Sequence, residues 1–167
     1  MQTSNKPEAR IKGDDLLIFT NVVRILVSQE ETNGQYAVFE DNVPPLGGPP
    51  PHSHPDEEIF YIMKGEFEFV LNDLSNPFRV EAGSVVHIPS NAIHAFKNVG
   101  KSTGKIIAII TPGNLEMFFR EIGKPLNEPS EYPDLNIPPD LAKLDVGKAF
   151  VIAPEYGVKF YLPEIAN

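Results

Sequence analysis

Four side chains in this sequence have the types and spacing to hold a transition metal. His52, His54 and Glu58 fall within the run His52-Ser53-His54-Pro55-Asp56-Glu57-Glu58, and His94 lies downstream. Three imidazoles and one carboxylate form a donor set suited to a divalent first-row ion. Side chains of an extended chain alternate faces, so residues 52, 54 and 58 share one parity and can point the same way. Pro51 and Pro55 interrupt regular ladder pairing and make part of the segment loop or strand edge. Two histidines one residue apart are still tethered close together by the backbone, which favours chelation. His94 must then arrive from a different strand.

The chain has 167 residues, enough for a core that is stable without staples. It contains no cysteine, which excludes intrachain disulfides, cysteine-ligated iron-sulfur clusters and thiolate zinc sites. A net charge of -9 argues against a nucleic-acid backbone or an anionic membrane as the main partner and favours solubility. Met1 to Asp15 is polar, without an apolar segment of the signal-peptide kind, and no later apolar run approaches membrane-spanning length. The expectation is a soluble cytoplasmic protein.

The elements that must position the four side chains are short, β-rich and punctuated by turns. Leu16 to Thr20, Val22 to Ser28 and Gln35 to Glu40 read as strands, with turns at Asn21 and Asn33-Gly34. Val43 to Pro51 holds five prolines and two glycines and must be a stiff loop. Glu58 to Met63 and Glu66 to Leu71 are predicted to form a hairpin around Lys64-Gly65, the second strand having one apolar face. Phe78 to Val80, Val85 to Ile88, Ala92 to Asn98 and Lys105 to Thr111 complete the β series. Beyond Pro112-Gly113 the texture changes: Asn114 is a plausible N-cap, and Leu115, Phe118, Phe119 and Ile122 recur at helical spacing before Gly123. Pro125 to Pro139 reads as a proline-rich connection, and a second helical segment is predicted within Asp140 to Tyr156, ending at Gly157.

Many short strands at regular spacing point to an all-β sandwich or barrel with a helical C-terminal addition. The chain resembles the cupins, jelly-roll (double-stranded β-helix) barrels with two signature motifs. In the first motif a glycine precedes His-x-His, then Glu, then Gly, matched here by Gly47, His52, His54, Glu58 and Gly65. The second is matched by Gly83, Pro89, His94 and Asn98. There are two departures: Gly47 sits one residue closer to His52 than the usual pattern, and Asn91 replaces the glycine after Pro89. Asn tolerates left-handed backbone better than most residues, which preserves the turn. The Gly-Gly-Pro-Pro-Pro-His-Ser-His stretch and the helical tail further resemble the single-domain quercetin dioxygenase-like cupins. The boundaries expected are 1–112 for the barrel with its N-terminal strands and 113–167 for a helical extension packed on it.

The resemblance implies one divalent metal (Fe, Mn, Ni, Co, Cu or Zn) held by His52, His54, Glu58 and His94. The motif spacing favours Glu58 over Asp56 and Glu57, which are expected at the solvated rim, and leaves His87 a structural role. Phe118 and Phe119 are expected to pack the helix on the barrel, with capping of the pocket mouth as the alternative. A metal-dependent dioxygenase acting on a flavonol-like or enolisable small molecule is implied, with Glu58 doubling as the catalytic base. The alternatives are a metal-dependent isomerase or hydrolase and a non-catalytic small-molecule binding or sensor protein. A homodimer is expected by resemblance, with Leu16 to Ser28 as the candidate edge for strand exchange.

Overall fold

The computed structural model describes residues 13–162. Most of the polar N-terminal segment and the last residues of the expected extension lie outside that range. Twelve strands follow in chain order among the described residues: β1 (Asp14–Ile18), β2 (Asn21–Val27), β3 (Ala37–Val43), β4 (His52–Ser53), β5 (Glu57–Lys64), β6 (Glu66–Leu71), β7 (Phe78–Glu81), β8 (Val85–Ile88), β9 (His94–Asn98), β10 (Gly104–Thr111), β11 (Lys124–Pro125) and β12 (Lys159–Phe160). They form two antiparallel sheets. The larger has the order β11-β1-β2-β3-β10-β5-β8 and the smaller β12-β4-β9-β6-β7. The architecture is an all-β jelly roll with short helical additions.

Alternation along the strands builds the core. The inward row of β5 is Glu58, Phe60 and Ile62, that of β10 is Ile106, Ala108 and Ile110, and that of β3 is Ala37, Phe39, Asp41 and Val43. From the smaller sheet, Phe67 and Phe69 of β6 and His94, Phe96 and Asn98 of β9 are buried. Ring centroids of Phe60, Phe69 and Phe96 lie 5.4–5.6 Å apart, a spacing suited to edge and offset packing. Burial of each such ring contributes about 2 kcal/mol. The same alternation that buries these rings turns Glu58 and His94 inward.

Two expectations about strand pairing change. The hairpin predicted at Lys64-Gly65 is absent, because β5 pairs with β8 and β10 whereas β6 pairs with β7 and β9. Lys64-Gly65 is the corner at which the chain passes between sheets. Gly65 has φ +96°, and a Cβ there would sit 3.1 Å from the Cα of Gly104, so the corner requires glycine. In addition, Leu16 to Ser28 is no free edge: β2 lies between β1 and β3, and β1 is covered by β11 through Leu16↔Pro125 and Leu17↔Lys124.

The segment after Pro112 joins both sheets. Helix α1 (Leu115–Ile122) buries Leu115 and Phe118, and its side-chain N-cap is not Asn114; instead the carboxylate of Asp56 accepts the backbone N–H of Asn114 at 3.0 Å. The second helical segment is broken into a 3₁₀ turn at Leu141–Lys143, helix α2 (Gly147–Ile152) and a 3₁₀ turn at Ala153–Tyr156, ending at left-handed Gly157. β12 then pairs with β4, setting Phe160 opposite His52.

Asn98 pins the proline-rich loop to the barrel. Its amide donates to the carbonyls of Val43 and Ser102, both at 2.9 Å, and its side-chain oxygen accepts from the N–H of Gly100 at 2.8 Å. The Asn98 backbone also pairs with Leu46 and Gly47. Asn98→Ala strands three backbone groups in the interior and is expected to lower unfolding free energy by about 3 kcal/mol, measured by urea denaturation.

Candidate metal centre

The four predicted residues come from three parts of the barrel. β4 pairs with β9 at His52↔His94, so two imidazoles share the smaller sheet. Glu58 comes from β5 of the larger sheet, and His54 from the connection that crosses between them. Pro55 ends the ladder there, as its missing N–H demands. The crossing is tied down from the second motif: the N–H of Asn91 donates to the His54 carbonyl at 2.8 Å, and the Ser90 hydroxyl to the Pro55 carbonyl at 2.5 Å.

One nitrogen from each of His52, His54 and His94 lies within 4.8 Å of the others, a grouping able to hold a metal ion. His54 and His94 are each 1% exposed and Glu58 3%, while His52 is partly open. Glu58 Oε2 stands 3.0 Å from His94 Nε2 and 3.6 Å from His54 Nε2. His94 Nδ1 lies 3.0 Å from the Ala92 carbonyl, and His52 Nδ1 lies 2.9 Å from that of Pro50. A carbonyl can only accept, so each Nδ1 carries a proton, and in the neutral ring each Nε2 keeps a lone pair. This is the arrangement by which a backbone carbonyl orients a metal-binding imidazole. Neither ring nitrogen of His54 has a hydrogen-bond partner.

These contacts are electrostatically incomplete without a cation. A lone pair on His94 Nε2 facing a carboxylate oxygen at 3.0 Å is repulsive unless a proton or a metal ion lies between them. Burial opposes ionisation of Glu58, but the two imidazoles outweigh it and hold the carboxyl well below its usual range. Burial likewise opposes charge on His54, and the Glu58 carboxylate overrides it and raises the imidazole. His52 is pushed down to about 3, by burial first and then by His94 and His54.

The cluster opens on a partly enclosed, largely apolar cavity. His52 and Glu58 line it, with walls of Phe39, Phe60, Phe96, Phe118, Phe119 and Phe160. Phe118 and Phe119 therefore pack the helix and line the pocket at once. Asn21 and Asp41 are the other polar groups of the lining. Burial, with the charge of Glu58 adding and the Asn21 hydrogen bond opposing, pushes the Asp41 carboxyl up to about 7.

Comparison with known proteins places this geometry. Residues 39–110, which include all four residues of the cluster, match the cupin domain family. These residues form a cupin domain. It is 29% identical over 115 residues to quercetin 2,3-dioxygenase of Bacillus subtilis (strain 168), a match covering 68% of this chain and 33% of that protein. It is 30% identical over 79 residues to auxin-binding protein 1 of Arabidopsis thaliana, covering 43% and 40% respectively. The matches thus span between a third and less than half of these relatives' lengths. Among solved structures, a predicted oxalate decarboxylase from Thermotoga maritima superposes with TM-score 0.55 at 23% identity, covering 60% of this chain and 93% of that one. An RmlC-like cupin from Shewanella frigidimarina NCIMB 400 gives TM-score 0.57 at 14% identity, covering 70% and 97%. Both show the fold.

The two departures of this cupin from the motif pattern have local explanations. Asn91 adopts φ +61°, so the left-handed turn survives without glycine and its N–H still reaches His54. Leu46 occupies the position at which the pattern has its first glycine, and it too is left-handed, with φ +61°. Asp56 corrects the expectation of a solvated rim: it is 2% exposed and caps α1. Glu57 and His87 pair with each other at 3.2 Å on the outer surface. Asn21, expected as a turn, instead opens β2, and neither Asp41 nor Phe160 is singled out by the sequence. Asp41 had a signal, since it shares parity with Ala37 and Phe39, but the predicted strand stopped at Glu40. Nothing in the sequence announces Phe160.

A leucine in left-handed backbone costs about 1 kcal/mol, and Leu46 is 56% exposed, so it has little burial to lose. Leu46→Gly is expected to raise stability by about 1 kcal/mol, read as an increased denaturation midpoint.

Proposed function

We propose that this cupin binds one divalent transition metal through His52, His54, His94 and Glu58, and acts as an oxygenase on a small, partly apolar, oxygenated substrate of the flavonol or enolisable kind. The observation that carries the reading is the convergence of two buried imidazoles on one buried carboxylate oxygen, with a nitrogen of His52 within 4.8 Å of both. The all-N/O donor set suits iron, manganese, nickel, cobalt, copper or zinc. When bound, the metal supplies Lewis acidity and open coordination positions for oxygen ligands. The similarity to quercetin 2,3-dioxygenase over 68% of the chain supports the substrate class.

The chain's own residues do the rest. The phenylalanine walls take up a flat apolar body and exclude water. The imidazoles of His52 and His94 are fixed in orientation by the carbonyls of Pro50 and Ala92. Glu58 accepts the proton of the substrate hydroxyl, so that an enolate forms inside the cavity.

A second reading, a non-catalytic small-molecule binding protein, is favoured by the similarity to auxin-binding protein 1 over 43% of the chain. Oxygen uptake by the metal-loaded protein over a panel of flavonols and enols separates the two. The oxygenase reading predicts uptake that falls about 100-fold or more in Glu58→Gln with metal retained. Unchanged uptake in that variant rules out the base role, and tight binding of a panel member with no uptake favours the binding protein.

A further inference from the structure

The cavity holds a second carboxyl group that the metal site does not use. Asp41 is the charged member of the inward row Ala37, Phe39, Asp41 and Val43, and it is 9% exposed. Its Oδ2 accepts from the side-chain amide of Asn21 at 3.1 Å. Asn21 is itself held, since its side-chain oxygen accepts from the Thr20 hydroxyl at 2.8 Å, and that hydroxyl accepts from the N–H of Gly48 at 3.1 Å. Gly48 has φ +144°, and a Cβ there would collide with the Phe96 carbonyl, so the anchor of this relay is rigid. The relay fixes the Asp41 side chain through one oxygen. The other, Oδ1, is buried without a hydrogen-bond partner.

We propose that Asp41, oriented by Asn21, is a substrate-recognition residue: its unengaged Oδ1 hydrogen-bonds a second polar group, a phenolic hydroxyl or carbonyl, on a planar aromatic ligand whose first oxygen is held at the imidazole cluster. Asp41 and Asn21 line the same cavity as His52 and Glu58, between aromatic walls. An apolar pocket with a few fixed polar groups selects its ligand by where those groups fall. Within the protein the relay engages only one of the two Asp41 oxygens. A buried carboxyl oxygen without a partner is costly, and a ligand group that meets it recovers that cost. Burial brings the carboxyl near neutrality in its titration, so it can donate as well as accept. Discrimination of this kind, by a polar group that goes unmet when the wrong ligand binds, is stronger than discrimination by apolar shape.

This proposal rests on the reading of the cavity as a flavonol-type site, and the test separates the two. Dissociation constants of the metal-loaded protein are measured by fluorescence for kaempferol, which carries phenolic hydroxyls beyond the 3-hydroxyl, and for 3-hydroxyflavone, which lacks them. Asp41→Ala is expected to weaken kaempferol about tenfold or more while shifting 3-hydroxyflavone by no more than about threefold. Asp41→Asn keeps a side chain of the same shape that both donates and accepts, and is expected to restore kaempferol binding to within about threefold of wild type. Equal changes for the two flavonols in Asp41→Ala, or none, overturn the role of Asp41 and leave the flavonol reading standing. Failure of the wild-type protein to bind either flavonol overturns both.

Discussion

The structure turns on a charge problem. Two imidazole nitrogens face one carboxylate oxygen, at 3.0 and 3.6 Å, almost entirely out of contact with water. Removing these groups from solvent is costly unless opposite charge compensates, and the backbone carbonyl at Ala92 assigns the His94 proton to the far side of its ring. A cation at the centre resolves the conflict for all of the facing groups together. His52, with a nitrogen within 4.8 Å of those of His54 and His94, faces the same centre from a third direction.

The barrel is arranged so that this cluster can be assembled but not dispersed. Its members belong to both sheets and to the crossing between them, so no single local rearrangement brings them together or carries them away. Strand pairing sets His52 against His94, and the inward parity of β5 presents Glu58. The Asn91 turn holds His54, and Asn98 holds the loop that leads into His52. The phenylalanines around the cluster serve as core and as cavity wall together, which keeps the local dielectric low and the electrostatic interactions strong. Folding energy and site chemistry therefore draw on the same residues.

Much of this was legible from residue spacing. Strands recognised by alternation fell close to their observed positions, and the parity of His52, His54 and Glu58 anticipated a shared direction. What periodicity carries poorly is pairing between distant segments. The run through Lys64-Gly65 looks like a hairpin because both flanks alternate, yet Gly65 serves a corner between sheets. Asp56 looks like a rim residue because it follows a proline in an acidic run, yet the start of α1 reaches it across the barrel. Asp41 and Phe160 are neighbours of the cluster only through long-range pairing, and Phe160 arrives on a two-residue strand that no pattern marks.

The central claim is that the buried cluster is a site for one divalent ion. Titration of cobalt(II) into chelator-treated protein, followed by visible absorption, tests it most directly, because cobalt in a mixed imidazole and carboxylate environment has distinct ligand-field bands. Saturation at one ion per chain and loss of the bands in His94→Ala are expected. Absence of binding by the wild-type protein, or undiminished binding by His94→Ala, would contradict it.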